Sequence, residues 1–153
     1  MIKKANKKQL EEIIQVIIRS YRETFQTAFQ NISDADLDFP REEIVDVFNK
    51  MDFYVYMKNK KIIGTSALGK ISKDQGLVRA VYILPEYQRQ GIGQCLMNNI
   101  ENVAKAQGLK SLLLYTPEEA YWAINFYKKL GYQITKKEKE DWGVLVYLEK
   151  ILV

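Results

Sequence analysis

The chain of 153 residues contains no histidine and only one cysteine, Cys95. Because zinc sites in proteins are built mainly from these two residue types, we expect no metal site. A single cysteine also excludes an internal disulfide, which favours a reducing, cytoplasmic location. No apolar run approaches the roughly 20 residues that a membrane-spanning helix needs, so we expect no membrane partner.

A strong charge of one sign is also missing. The formal net charge is +4, and the basic residues form no long run, which argues against a nucleic-acid partner. A mild positive charge still suits a polyanionic small molecule. Hydrophobic residues make up 47% of the chain, an ordinary share for a globular protein. The length therefore predicts one domain over residues 1–153.

The hydrophobic periodicity predicts a mixed α/β (α+β) fold around one sheet. The predicted order is strand, two helices, three strands, helix, strand, helix and two strands. An apolar stripe from Leu10 to Tyr21 forms the first helix, and residues 52–72 form a hairpin. The strands at 77–84 and 110–116 are predicted to be parallel neighbours, because a helix connects them. A T-x-x-E capping box from Thr116 to Glu119, with Pro117 in the first turn, predicts where the last helix begins.

The nonapeptide PEYQRQGIG, from Pro85 to Gly93, lies between a predicted central strand and a predicted helix. A helix N-terminus offers unpaired N–H groups and about half a positive charge, which suits a pyrophosphate. Glycines at 91 and 93 would let the backbone approach such an anion closely. A plain turn is the alternative for an isolated G-x-G. The P-loop motif is absent, and the dinucleotide motif G-x-G-x-x-G fails because Leu96 replaces its last glycine.

Two motifs in this order and spacing resemble the GNAT family of N-acetyltransferases. The family motif Q/R-x-x-G-x-G/A is met by Gln88, Gly91 and Gly93. Its later motif, an aromatic-rich helix ending F/L-Y-x-x-x-G-F/Y, is met by Phe126, Tyr127, Gly131 and Tyr132. The predicted element order resembles the family over nearly the whole chain, and the likeness is most specific from residue 77 to residue 132.

The resemblance implies a sheet of about six to seven strands with two splayed parallel central strands, and acetyl-CoA as co-substrate. In this family the glycine loop holds the coenzyme A pyrophosphate with backbone N–H groups. The end of the preceding strand hydrogen-bonds the pantetheine arm, much as an added strand would. The matching cofactor-binding residues are Val81, Tyr82, Ile83, Gln88, Arg89, Gln90, Gly91, Ile92 and Gly93.

Tyr127 is the catalytic candidate, because it matches the family's tyrosine that lies beside the coenzyme sulfur and acts as a general acid. A tyrosine hydroxyl has an ordinary pKa of about 10, so it is protonated and can donate at neutral pH. On spacing alone, a tyrosine that only packs in the core is an equal alternative. The family often carries asparagine seven residues earlier, where this chain has Ala120. Asn125, on another face of the same helix, is the candidate to replace that contact.

The general base has no clear motif. The candidates are a chain of water molecules or one of the carboxylates Glu23, Asp34, Asp36, Asp38 and Glu118. Arg79 interrupts an apolar strand and would bind an acceptor carboxylate or pair with a neighbouring acid; both alternatives stay open. Cys95 is predicted to face the core, so we expect direct transfer in a ternary complex without an acyl-enzyme.

The function that the resemblance implies is transfer of an acetyl group from acetyl-CoA to a primary amine of a small molecule or peptide. Residues between Tyr21 and Phe48, including Phe29, are expected to form one wall of the acceptor cleft. The alternatives are a catalytically silent acyl-CoA-binding module and a basic protein that uses the loop for another phosphate ligand, although the latter leaves the tyrosine-bearing helix with no purpose beyond packing. Assembly as a homodimer is left open.

Overall fold

The computed structural model describes residues 1–29, 33 and 37–153. Its strands are β1 Ile2–Lys4, β2 Asp52–Lys58, β3 Lys61–Lys70, β4 Gln75–Ile83, β5 Ser111–Pro117, β6 Gln133–Glu140 and β7 Gly143–Ile151. Its helices are α1 Leu10–Ala28, α2 Arg41–Lys50, α3 Ile92–Ala106 and α4 Tyr121–Lys129, with 3₁₀ turns at Lys7–Gln9 and Pro85–Tyr87. None of the helices in these ranges has the length and hydropathy needed to cross a membrane.

The strands form one mixed sheet of seven in the order β1-β2-β3-β4-β5-β7-β6. The β4–β5 pair is parallel, whereas the β1–β2, β2–β3, β5–β7 and β6–β7 pairs are antiparallel. The parallel ladder runs from Gln75 opposite Ser111 to Leu77 opposite Leu113 and goes no further along the two strands. The mixed α/β fold and its central parallel pair are therefore confirmed. The predicted hairpin is also confirmed, and its turn at Asn59 and Lys60 has positive φ at both residues, as a tight hairpin requires.

The chain forms two compact units, 1–68 with 80–100 and 69–79 with 101–153. In the first unit, the apolar stripe of α1 buries Ile13, Ile14 and Ile17 in a cluster with α2, β2 and β3. The pairing of β3 with β2 skips Ile63, since Ile62 lies opposite Met57 and Gly64 lies opposite Tyr56, and this bulge interrupts the alternation of side chains between the two faces of β3. Ala67 joins the α1/α2 cluster, whereas Ile63 packs with the first turns of α3.

Gly64 in β3 sets how closely α3 and the end of β4 can pack. A Cβ at this position would lie 2.9 Å from Ile83 Cδ1, 3.1 Å from Leu96 Cδ1 and 3.3 Å from Ile92 Cγ2. These distances are shorter than ordinary van der Waals contacts, so any larger residue would push the three side chains apart. Glycine at 64 therefore lets β4 end close to the N-terminus of α3.

The second unit contains a buried polar network beside α4. Tyr132 is 1% exposed, and its hydroxyl donates to Glu101 Oε2 at 3.3 Å. Lys150 Nζ lies 2.9 Å from the other oxygen of Glu101 and 5.7 Å from the centre of the Tyr132 ring. Burial and the adjacent Glu101 carboxylate raise the pKa of Tyr132. The network thus holds a neutral phenol against a buried carboxylate.

The predicted start of the last helix is wrong. Thr116 and Pro117 belong to β5, where they pair with Val146 and Leu145 of β7. The helix α4 begins only at Tyr121, and its N-cap, Ala120, supplies no side-chain hydrogen bond. Pairing across the β5–β7 ladder overrides the local capping preference of the T-x-x-E motif.

Candidate active site

The segment after β4 follows the predicted plan of strand, turn and helix. A 3₁₀ turn at Pro85–Tyr87 is closed by the Tyr87 N–H, which donates to the Leu84 carbonyl at 2.9 Å. The Gln88 N–H donates to the Pro85 carbonyl at 3.2 Å. This N–H is therefore already engaged within the turn, so it is not one of the donors that the segment offers to a ligand.

Left-handed backbone at two positions shapes the next residues. Arg89 has a φ of 62° and Gly91 a φ of 82°. A Cβ at Gly91 would meet no atom within 4 Å, so glycine is favoured there by its conformation and not by lack of space. Turns that contain left-handed residues can point successive N–H groups toward one side, a concave arrangement that binds anions.

The first turn of α3 continues this set of donors. The Cys95 N–H donates to the Gly91 carbonyl at 3.0 Å, which is the first bond of the helix. The N–H groups of Ile92, Gly93 and Gln94 precede that bond, so the helix itself provides no carbonyl to accept from them. The side chain of Ile92 is 7% exposed and anchors this turn in the cluster with Ile63. A fixed helix N-terminus of this kind is suited to a phosphate.

The Gln88 side chain braces the loop. Its Nε2 donates to the Ile83 carbonyl at 3.0 Å and to Thr24 Oγ1 of α1 at 3.3 Å. The carbonyl of Ile83 is consequently occupied at the end of β4. Among the residues predicted to bind cofactor, Gln88 and Ile83 are thus joined directly to each other.

A second link from α1 reaches the same loop. Arg19 forms an ion pair with Glu86, which raises the pKa of the Arg19 guanidinium and lowers the pKa of the Glu86 carboxyl. The guanidinium offsets the negative charge of Glu86, which would otherwise disfavour an anion at the loop. The partners of this pair and of the Gln88–Thr24 bond are more than 60 residues apart in sequence, so no local motif could have indicated them.

The end of β4 contains a further left-handed residue. Ala80 has a φ of 57°, and its carbonyl accepts a hydrogen bond from Thr65 Oγ1 at 2.7 Å. Val81, Tyr82 and Ile83 follow directly and are partly buried. The Tyr82 ring packs edge-on against Phe39, with ring centres 6.0 Å apart.

Tyr127, the catalytic candidate, lies on α4 in the second unit. It is 9% exposed, and its ring packs edge-on against Phe126 and Tyr132, with centres 5.2 and 5.9 Å away. Its carbonyl accepts from the Tyr132 N–H at 3.0 Å. Burial raises the pKa of Tyr127, and within the described ranges no charge or hydrogen bond contributes to that rise. The residue therefore carries a neutral hydroxyl that can donate a proton or hydrogen bond.

The remaining candidates occupy different surroundings. Asn125 is exposed on α4, and Ala120 is buried at the start of that helix. The Arg79 guanidinium lies 5.6 Å from the centre of the Tyr115 ring, a cation–π contact that the sequence did not indicate.

The prediction that Cys95 faces the core is wrong, since its thiol is exposed. The buried row of α3 runs at four-residue steps through Ile92, Leu96, Ile100 and Ala104, and Met97 widens it on the side away from Cys95.

Among the candidate carboxylates that the structure describes, none is singled out as the general base. Glu118 pairs with Lys137 at 2.9 Å, and Glu23 lies 3.2 Å from Arg19. Asp38 is exposed, whereas Asp34 and Asp36 lie outside the described residues. Within 1–29, 33 and 37–153, no three acidic or sulfur side chains are grouped in a way that could hold a metal ion.

Comparison with known proteins gives a consistent set of similarities. A family model described as an acetyltransferase (GNAT) domain matches residues 49–134. An uncharacterized Bacillus subtilis protein, YyaT, is 29% identical over 119 residues, which cover 75% of this chain and 73% of the relative. An amino-acid acetyltransferase from Pseudomonas fluorescens is 33% identical over 88 residues, covering 57% of this chain but only 19% of that enzyme.

Several solved structures match along almost the full length, and one of them contains coenzyme A. It is the PaiA N-acetyltransferase of Thermoplasma acidophilum in complex with coenzyme A, with a TM-score of 0.80 and 23% identity. The alignment covers 99% of this chain and 98% of that one. At this identity, the likeness concerns the fold.

Proposed function

Because the chain belongs to the GNAT family of acetyltransferases, we propose that it transfers the acetyl group of acetyl-CoA to a primary amine. The observation that carries the proposal is the row of N–H groups from Arg89 to Gln94, which belongs to a left-handed turn and a helix N-terminus, an arrangement suited to an anion. Residues 1–153 would act as one catalytic domain, and their location would be cytoplasmic.

The cofactor would bind mainly through backbone groups. The N–H groups of Arg89 to Gly93 would hold the pyrophosphate, with the Arg89 guanidinium adding positive charge. Gln88 contributes by holding the loop against Ile83 and Thr24. The pantetheine arm would lie along Val81 and Tyr82, with Asn125 as a further polar candidate. The coenzyme A complex of the archaeal structure supports this choice of cofactor.

The reaction would be a direct acyl transfer in a ternary complex. The ammonium group of the acceptor first loses a proton, since an alkyl amine resembling lysine has a pKa of about 10.4. The amine nitrogen then forms a bond to the thioester carbon, the carbon–sulfur bond breaks, and the second proton leaves the nitrogen. Tyr127 would donate its hydroxyl proton to the departing thiolate and regain one from the acceptor nitrogen. The exposed Cys95 has no covalent role in this scheme.

A neutral phenol is suited to this role but is not a strong acid. An ordinary thiol has a pKa of about 8.5, below that of Tyr127, so complete transfer to the thiolate is uphill unless the phenolate is reprotonated at once. The proton released by the attacking amine supplies that step. Catalysis by Tyr127 therefore requires the acceptor nitrogen and the sulfur to be present together, which favours a ternary complex over a two-step exchange.

The acceptor would be a small molecule or a peptide. The region from Tyr21 to Phe48 is the candidate for one wall of its cleft. The aromatic row of Tyr21 and Phe25 on α1 and Phe29 directly after it supports that choice. Phe29→Ala should then change the preference among acceptors much more than the affinity for acetyl-CoA.

The test is a screen of amine acceptors with acetyl-CoA, read as release of free thiol. The set should include small amines, aminoglycosides, peptides with a free N-terminus and lysine-containing proteins. Calorimetry with acetyl-CoA alone is the parallel measurement. We expect binding in the micromolar range and turnover with at least one acceptor class. Binding without turnover across the whole set would indicate a silent acyl-CoA-binding module, and absence of binding would refute the proposed site.

A further inference from the structure

Ala80 has a backbone conformation that its residue type disfavours. Its φ of 57° lies in the left-handed region, where the Cβ of alanine is close to the following carbonyl oxygen and the conformation is strained. It is the only non-glycine residue with positive φ inside a strand among residues 1–29, 33 and 37–153; the others, Asn59, Lys60 and Arg89, lie in turns or loops. Something in the structure must therefore hold it there.

Thr65 provides the restraint. Its Oγ1 donates to the Ala80 carbonyl at 2.7 Å, and the side chain is 0% exposed. Thr65 is itself fixed in β3, opposite Val55 of β2. The Thr65 side chain is closed to water, so removal of its hydroxyl would leave the Ala80 carbonyl without this hydrogen-bond donor.

The restrained residue comes just before the backbone that the cofactor would contact. The parallel ladder between β4 and β5 ends at Leu77, and Val81 and Tyr82 follow the left-handed residue. Further along, the segment is fixed again, since Gln88 donates to the Ile83 carbonyl and the Leu84 N–H donates to the Ile63 carbonyl at 2.9 Å. The peptide groups of Val81 and Tyr82 are thus held between two anchors, and Thr65 is the anchor on the N-terminal side.

We infer that Thr65 is a positioning residue for the acetyl transfer. Its hydroxyl fixes the left-handed backbone conformation of Ala80 and so directs the peptide groups of Val81 and Tyr82 toward the acyl-cofactor. The inference rests on the proposed function, because it assigns Thr65 to the cofactor edge of that site. Thr65 does not touch the reacting atoms. Its effect passes through the backbone of β4.

Thr65→Val and Thr65→Ser separate positioning from packing. Valine keeps the shape and loses the hydroxyl, whereas serine keeps the hydroxyl and loses a buried methyl group. We expect kcat/KM for acetyl-CoA to fall about 10- to 100-fold in Thr65→Val and to stay within about threefold of wild type in Thr65→Ser. A role in packing alone predicts the opposite order, with Thr65→Ser more affected.

Ala80→Gly keeps the test informative even if Thr65→Val does not fold. Glycine accepts a φ of 57° without strain, so with Thr65 present the left-handed conformation at position 80 and the activity should be unchanged. In Thr65→Val/Ala80→Gly the melting temperature should recover while activity stays low. Recovery of both together, or a loss of activity in Ala80→Gly alone, would overturn the inference.

Amide hydrogen exchange in the cofactor-free protein gives a readout that needs no substrate. We expect faster exchange at Val81 and Tyr82 in Thr65→Val than in wild type or Thr65→Ser. Unchanged exchange and unchanged kcat/KM in a folded Thr65→Val would refute the role of Thr65 while leaving the proposed function intact. A wild type that binds no acetyl-CoA would instead refute the proposed function.

Discussion

The segment from Arg89 to Gln94 and the helix α4 contribute different kinds of chemical group to the proposed reaction. The segment offers backbone N–H groups, and its long polar side chains, Arg89, Gln90 and Gln94, are exposed. The helix α4 offers the side-chain hydroxyl of Tyr127, which lies within an aromatic cluster that is largely buried. In the first region the backbone conformation is the functional feature; in the second it is a single atom.

This difference predicts how each region responds to substitution. Removing a side chain from the segment leaves its donors in place, so only a change of backbone conformation or of charge should weaken anion binding. Removing one oxygen from Tyr127 should eliminate its chemistry and leave the packing nearly intact.

Tyr127→Phe should lower kcat by about 10²- to 10⁴-fold with little change in acetyl-CoA affinity, since general acid catalysis contributes about that factor. Tyr121→Phe is the matched control, because it removes the same atom from a side chain that is 60% exposed on the same helix. Steady-state rates, calorimetry and a melting curve are the measurements. Wild-type turnover in a folded Tyr127→Phe would remove this hydroxyl from the mechanism, and access of water to the sulfur would reduce the loss.

Gly91→Asp should weaken acetyl-CoA binding about 100-fold, because a like charge is placed against the pyrophosphate. Gly108→Asp is its control, since Gly108 has a φ of 81°, against 82° at Gly91, and neither position has an atom within 4 Å of an added Cβ. Both variants should therefore carry a similar backbone cost. Calorimetry that shows equal losses in the two variants, or none in Gly91→Asp, would contradict the role of the loop.

Much of the first region could be predicted from sequence. The glycines, the strand before them and the amphipathic helix after them are local signals, and the structure has the corresponding elements at Gln75–Ile83 and Ile92–Ala106. Alternation and 3.6-residue periodicity report which side chains are buried. The element order and the parallel pair therefore followed from patterns that extend over about ten residues.

Other features depend on pairing between distant residues. The T-x-x-E motif at Thr116 has favourable capping chemistry, yet the β5–β7 ladder keeps the chain extended through Pro117. The restraint of Ala80 by Thr65 spans 15 residues and leaves no motif. The outward position of Cys95 depends on which row of α3 is buried, a choice that tertiary packing makes. Tertiary contacts decided each of these points, and local preference did not.

Lys150→Met should lower the free energy of unfolding by about 2 kcal/mol, because it leaves the Glu101 carboxylate without its cation. This loss is smaller than that expected for a fully buried ion pair, since Lys150 keeps some contact with water. Lys137→Met is the control. The Lys137–Glu118 pair has the same distance of 2.9 Å, but its side chains are 54% and 47% exposed, against 28% and 11% for Lys150 and Glu101. Removing an exposed pair costs less than about 1 kcal/mol. Equal losses in urea unfolding would show that burial does not set the strength of this network.

The smallest effect concerns the ionisation of Tyr127. Burial raises its pKa above the ordinary value of about 10, so the folded state favours the neutral phenol. The stability gained in this way is fully present below pH 10 and is lost as the pH rises through the higher pKa of the folded state. In ultraviolet titration of the folded protein, Tyr127→Phe should therefore remove no tyrosinate absorbance near pH 10. If Tyr127→Phe did remove the absorbance of one tyrosinate near pH 10, the Tyr127 hydroxyl would be open to water. The two regions would then differ only in the kind of group that they offer, a side-chain hydroxyl or the backbone N–H groups of Arg89 to Gln94, and not in burial.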